Sequence, residues 1–261
     1  MVTTIGARMA TNMKWTWEET LKAFALYFIL PSGKHDKRNP DIIALASDLG
    51  RTPSAVVLKL ANIKAKDPFN PGAGMANGSK LDARVWEVYA ERGDGLLADA
   101  MELLADCAIV TDHQAAVIDT VFHDLPEGRE RTVVTTERAN QSYFRNSLLD
   151  IYGGRCCVTG MNVEPLLVAS HIKPWKDADP KTERLAPDNG LLLDALHDKA
   201  FDRGFMTIDL SLRVRVSKQV PRGEPWSDLL WRYDRQEIAL PRRSAPRRDF
   251  IEYHNDVVFR G

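Results

Sequence analysis

Ser170-His171-Ile172, then Asn189-Gly190-Leu191, then His197-Asp198-Lys199-Ala200-Phe201-Asp202 is the stretch on which the reading of this chain turns. His, Asn and His follow in that order, the Asn eight residues before the second His. A neutral imidazole has an ordinary pKa near 6.5 and can take a proton from water at neutral pH, which makes His171 the candidate general base. An imidazole or carboxylate on a following helix can hold a divalent ion that polarises a phosphate and stabilises the departing oxygen. Asn189 suits a supporting role, its amide holding the backbone around His171. Together these groups could activate a water and hold an ion beside it, so His171, Asn189 and His197 form the candidate catalytic set.

Local signals around the motif are consistent with it. A helix is expected over 137–152, with Phe144, Leu148 and Leu149 on its apolar face and Gly153-Gly154 closing it. A short strand over 156–159, turning at Gly160, and a second over 166–172 make a hairpin whose end carries His171. A long loop leads to Asn189 and a helix through Phe201, stopped at Gly204.

Strand, strand, helix, with His, Asn and His in place, resembles the HNH (ββα-metal) endonucleases. The resemblance extends to Arg138-x-x-Gln-x-x-Phe-Arg, Leu148-Leu-Asp-x-Tyr, Cys156-Cys-Val-Thr-Gly and Leu167-Val-Ala-Ser-His-Ile-Lys-Pro-Trp175. Residues 189–204 and the terminal Tyr253-His-Asn-Asp-Val-Val-Phe259 are similar to the same family's restriction-type members. It implies a DNA substrate, a divalent metal (Mg²⁺ or Mn²⁺ foremost, Ni²⁺ or Zn²⁺ as alternatives) and a role in restriction or phage defence. Two positions depart from the pattern. Ser170 stands where many members carry an Asp or His ligand, and the final His usually lies nine residues after the Asn, where this chain has Asp198. His197 is the favoured metal ligand, Asp198 the alternative and Asp202 a weaker third.

The 261 residues suffice for two modest domains, and 44% apolar with 27% charged residues is an ordinary globular balance. The expected division is a helical domain over 1–124 and a nuclease domain over 125–261, with 124–131 as linker, giving an α+β chain. Thr16-Trp17-Glu18-Glu19 has the form of a capping box, with Leu21, Phe24, Ala25 and Phe28 following at helical spacing. Asn39-Pro40 and Thr52-Pro53 each offer a cap followed by Pro at the first helical position. The tight turn between these two helices, at Gly50-Arg51, has the length used in helix-turn-helix units. Arg51, Ser54, Lys59 and Lys64 are then the DNA-contact candidates of the second helix, with packing or dimerisation as the alternative use. Residues 67–80 read as loop, 81–104 as helix interrupted near Gly93-Asp94-Gly95, and 107–121 as a further helix.

Net charge is −1, but residues 131–261 carry 21 Lys and Arg against 18 Asp and Glu. A local basic stripe is all that a nuclease requires. Leu212-Arg-Val-Arg-Val216 alternates strictly, placing Arg213 and Arg215 on one strand face as further DNA-contact candidates. Cys107, Cys156 and Cys157 include no C-x-x-C pair, which excludes a cysteine zinc ribbon. No apolar run reaches the roughly 20 residues of a membrane span, so no membrane partner is expected. The first residues lack the apolar core of a signal peptide, making cytoplasmic location the expectation. One metal site cuts one strand, so double-strand cleavage would require two subunits and a homodimer is expected. Two other uses of the same motif stay open: an effector nuclease switched on by a signal, and a non-catalytic DNA-binding regulator.

Overall fold

Thr16, Asn39 and Thr52 each start a helix by giving a side-chain oxygen to backbone N–H groups that the helix itself leaves unpaired. Thr16 accepts from the Glu19 amide at 3.2 Å while the Glu19 carboxylate takes the Thr16 amide at 2.7 Å, closing the capping box of α1 (Trp17–Ile29). Asn39 caps α2 (Pro40–Asp48) and Thr52 caps α3 (Pro53–Ala65), with proline at the first position of both. After Gly93 the chain passes from α4 (Lys80–Arg92) to α5 (Asp94–Ala105). The computed structural model describes residues 14–70, 79–105, 107 and 129–261; the helix expected over 107–121 lies almost wholly outside them. The chain divides into two units, Met1–Tyr143 and Phe144–Gly261, the division falling inside α6 (Arg129–Ile151). That helix starts earlier than the expected residue 137, taking in the last residues of the expected linker.

In the first unit, Phe24 and Phe28 of α1 pack with Trp86 and Tyr89 of α4 in tilted and edge-on geometries, ring centroids 4.9–6.0 Å apart. Beside them the buried Asp67 carboxylate accepts from the hydroxyls of Tyr27 (2.7 Å) and Tyr143 (2.6 Å). Burial pushes the Asp67 carboxyl above its ordinary range, an effect those hydroxyls only partly offset.

Two of the expected DNA contacts on α3 and its turn are instead part of this interior. Lys59 is 2% exposed and its ammonium is paired with the fully buried Asp82. Arg51 is buried too, forked onto both Glu19 oxygens at 3.1 and 2.8 Å and lying over the Trp15 ring. A charge this far from water must be paired within the protein, so neither is presented to a phosphate. Ser54 is exposed and Lys64 half-buried.

The second unit is built on β1 (Leu167–His171) and β2 (Gly190–Asp194), paired antiparallel with Leu167 opposite Asp194 and His171 opposite Gly190. α7 (Ala195–Asp202) follows β2 directly. The expected order, two strands and a helix, therefore holds, but with different strands. Residues 156–159 form a turn, with the Gly160 amide bonded to the Cys156 carbonyl at 2.9 Å, and the partner of β1 is 190–194. A second antiparallel pair, β3 (Met206–Ile208) and β4 (Val214–Val216), carries the predicted alternation, Val214 and Val216 buried and Arg215 exposed. Arg213 and Arg215 face acidic partners, Glu237 and Asp209.

The chain end is clamped onto α7. His254, just after α8 (Arg248–Tyr253), stacks on Phe201 at 3.8 Å, donates from Nε2 to the Phe201 carbonyl at 3.2 Å and meets the Thr207 hydroxyl through Nδ1 at 2.8 Å. Gly204 permits the approach: its φ is +73°, and a Cβ there would stand 2.1 Å from the Val258 carbonyl oxygen.

Lys59→Ala should destabilise the protein by about 3–5 kcal/mol in urea unfolding, because the Asp82 carboxylate would be left buried and unpaired. Lys59→Met with Asp82→Leu should recover much of that loss. A single variant as stable as the wild type would return Lys59 to the surface.

Candidate active site

His171 ends β1 with a half-buried imidazole. Its Nε2 lies 2.9 Å from the Arg184 carbonyl oxygen, which only accepts, so Nε2 carries the proton and Nδ1 is left as the lone-pair nitrogen. Phe144 of α6 stacks on the ring, centroids 3.8 Å apart and planes within 10°, and Trp175 meets it edge-on at 5.4 Å. Burial lowers the imidazole pKa to about 4, the bond to the Arg184 carbonyl opposing part of that fall.

Asn189 is wholly buried and works on the backbone around His171. Its Oδ1 accepts from the Lys173 amide at 2.8 Å, and its Nδ2 donates to the carbonyls of Lys173 (3.2 Å) and Glu183 (3.3 Å). These bonds join the two ends of the loop over 172–189. The loop is braced further by the Lys173–Glu183 ion pair at 2.6 Å and by the Arg184 Nε, which reaches the carbonyls of Trp175 and Ala178.

His197 and Asp198, adjacent in sequence, face different surroundings. His197 is 3% exposed, and its Nδ1 donates to the Asp194 carboxylate at 2.9 Å. Asp194 also caps α7 through the amides of Leu196 and His197 and accepts from the Thr159 hydroxyl at 2.8 Å, with the Cys156 Sγ at 3.4 Å. Burial alone would push the Asp194 carboxyl up, but the bonds from His197 and Thr159 outweigh it and hold it far below the usual range. His197 Nε2 is buried and finds no hydrogen-bond partner among the described residues, while Tyr233 meets the ring edge-on at 5.0 Å.

Asp198 is half-buried and bonds to the Ser170 hydroxyl on β1. Burial raises its carboxyl, the Ser170 bond opposes this, and Asp202 one helical turn on raises it further. Asp202 is exposed.

The sequence-predicted residues thus fall into three groups along the small sheet: His171 with Asn189 and the loop at the end where His171 faces Gly190, Ser170 with Asp198 and Asp202 beside it, and His197 with Asp194 at the other end, where Asp194 faces Leu167. Successive side chains of a strand point to opposite faces, so His171 and Ser170 stand on either side of the end of β1. The sequence alone assigns no role at the site to Asp194, Thr159, Phe144 or Arg184. Asp194 had a signal, an acidic residue directly before a helix; the Arg184 carbonyl had none.

Residues 156–209 match a family model described as HNH endonuclease, and this stretch spans β1, the loop, β2, α7 and β3. The C-terminal unit therefore carries an HNH endonuclease domain, and the resemblance read from the motif holds. Among solved structures, a modification dependent TagI restriction endonuclease matches at 23% identity and a TM-score of 0.32, over 42% of this chain. The match takes in 35% of that protein, so the chain covers about a third of its length. No curated protein matches the chain. Among the described residues, no helix is long and apolar enough to cross a membrane.

A His171 imidazole with a pKa of about 4 is neutral at every pH above roughly 5. Its C2 proton should titrate near 4 in nuclear magnetic resonance spectra. The unfolded chain takes up this proton near 6.5 and the folded chain only near 4, so His171 should contribute stability above pH 6.5 that is lost as pH falls toward 4. A midpoint near 6.5 in the native protein would contradict the buried placement.

Proposed function

We propose that the protein is a divalent-metal-dependent DNA endonuclease in which His171 is the general base. The observation that carries this reading is the fixed tautomer of His171, with Nε2 committed to the Arg184 carbonyl and Nδ1 left to accept a proton from water. Asn189 acts through the loop, holding the backbone that presents that carbonyl.

Among the described residues no three His, Cys, Asp or Glu side chains form a metal cage. The donor set is instead the raised Asp198 carboxylate, the Ser170 hydroxyl beside it and the nearby Asp202. Such a set suits a hard ion, since Mg²⁺ is commonly held by one or two carboxylates plus water and substrate phosphate. Asp198 would hold the ion, with Asp202 adding negative charge. Bound there, a divalent cation supplies Lewis-acid stabilisation of the phosphate and leaving oxygen. His197, favoured from the sequence, is better accounted for as part of the Asp194 cluster that fixes the start of α7. Mg²⁺ and Mn²⁺ fit this oxygen set better than Ni²⁺ or Zn²⁺.

The resemblance of residues 138–160 and 253–259 to restriction-type enzymes supports a role in restriction or phage defence, with a homodimer making double-strand breaks. In the helical N-terminal domain, Ser54 and Lys64 remain the candidates on α3 for DNA contact.

His171→Ala should keep DNA affinity and lose plasmid cleavage by about 10²–10⁴-fold. Wild-type cleavage by that variant, or no cleavage by the wild type with any of the four metals on modified or unmodified DNA, would favour the non-catalytic regulator. Asp198→Asn should weaken Mg²⁺ affinity by more than the roughly 10–100-fold that loss of an outer partner costs. His197→Gln should lower thermal stability with a smaller effect on metal affinity. The reverse ranking in calorimetric titration would make His197 the ligand.

A further inference from the structure

His171 and Gly190 are directly opposite across the β1–β2 pair, so a side chain at 190 would be the cross-strand neighbour of the imidazole. A phenyl ring fills that place. A Cβ built on Gly190 would lie 2.7 Å from Phe144 Cζ and 2.7 Å from a Leu148 methyl, well inside contact distance. The leucine methyl ends a flexible side chain. The Phe144 ring is rigid and 2% exposed, so it can clear a Cβ only by leaving its seat.

That ring is the one stacked on His171 at 3.8 Å and 10°. The bond from Nε2 to the Arg184 carbonyl selects the tautomer but leaves the ring able to pivot about the N···O line. Rotation about the terminal torsion of a histidine is intrinsically broad. A parallel phenyl ring in van der Waals contact removes the pivot on one side, and the Trp175 edge limits it further. Leu148, the next turn along α6, is fully buried and keeps the helix seated on Gly190.

We propose that Phe144, seated by the missing side chain of Gly190, is a positioning residue that holds the His171 ring in the plane where Nε2 stays on the Arg184 carbonyl and Nδ1 stays available as acceptor. This rests on the reading of His171 as the general base. Gly190 is thereby a determinant of the site, because the residue opposite the base must be small enough to admit the ring that orients it.

The test uses the full chain with Phe144→Leu, Phe144→Tyr and Gly190→Ala, each checked for folding by circular dichroism. An imidazole ¹H–¹⁵N correlation spectrum, assigned with His171→Gln, reads the tautomer of His171 and the ring-current shift of its carbon-bound protons. Single-turnover plasmid cleavage and separate DNA-binding measurements read the consequence. Phe144→Leu should lose the single Nε2–H tautomer and the ring-current shift, and should cleave about 10²-fold more slowly at unchanged DNA affinity. Phe144→Tyr adds an oxygen on the Cζ that already meets Gly190, so its ring should leave its seat and the variant should behave like Phe144→Leu. Gly190→Ala should behave like Phe144→Leu, and if it fails to fold the two Phe144 variants decide alone. A retained single Nε2–H tautomer of His171 in Phe144→Leu overturns the proposal whatever the cleavage rate, and so does wild-type cleavage with a lost tautomer. Cleavage by His171→Ala at the wild-type rate removes the general base instead, while the spectrum still reports whether Phe144 holds the ring.

Discussion

The side-chain amide of Asn189 is the constraint on which the geometry around His171 depends. β1 and β2 pair without a tight turn, and the loop over 172–189 has to be closed by something other than a hairpin. Asn189 closes it with bonds to Lys173 and Glu183, and its own side chain is wholly buried, so water competes poorly for them. The next residue after Glu183 is Arg184, whose carbonyl fixes the His171 tautomer. Remove the amide and only the Lys173–Glu183 ion pair and the Arg184 side chain still tie the loop, so the Arg184 carbonyl is held less firmly against the imidazole whose Nδ1 it keeps unprotonated.

A second polar centre does for the helix what Asn189 does for the loop. Asp194 ends β2 and caps α7, so one carboxylate sets both where the strand stops and how the helix is rotated. With Thr159, Cys156 and the His197 ring gathered on it, α7 turns His197 inward and leaves Asp198 at the Ser170 side. Neighbouring residues on a helix are separated by about 100° of rotation, because a turn takes 3.6 residues, so the two cannot share one ion easily. The spacing of the motif leaves His197 and Asp198 open as ligands; the cap decides which of them stays near β1.

Features governed by near neighbours were legible in the sequence. The caps at Thr16, Asn39 and Thr52, the break at Gly93 and the alternation of Val214 and Val216 are readable because each depends on residues within one turn or one strand. The motif located His171, Asn189 and α7 for the same reason. β2 was missed because Leu191-Leu192-Leu193 is buried on both faces, so its periodicity distinguishes neither strand nor helix. Residues 156–159 read as strand from composition, yet Cys156 and Thr159 both turn to Asp194, far along the chain. Lys59 read as a surface base because its partner, Asp82, lies on another helix. What the sequence hides is pairing between distant charges, which decides whether a basic residue is available to a ligand at all.

The low pKa of His171 bears on how such a base would work. At about 4 the imidazole is neutral but weak, whereas a general base is most effective when its pKa lies near the working pH. An anionic phosphate close to the ring stabilises the imidazolium and raises its proton affinity, the ordinary effect of an opposite charge a few ångströms away. A cation held at Asp198, as proposed, would act in the opposite sense on His171, but the carboxylates of Asp198 and of Asp202 a turn away would offset its charge. On the proposed reading, burial keeps His171 deprotonated until DNA arrives, and the charge of the substrate then strengthens the base. The same apolar surroundings that depress the free value make this coupling large, since a phosphate near a ring packed against Phe144 and Trp175 is poorly screened by water.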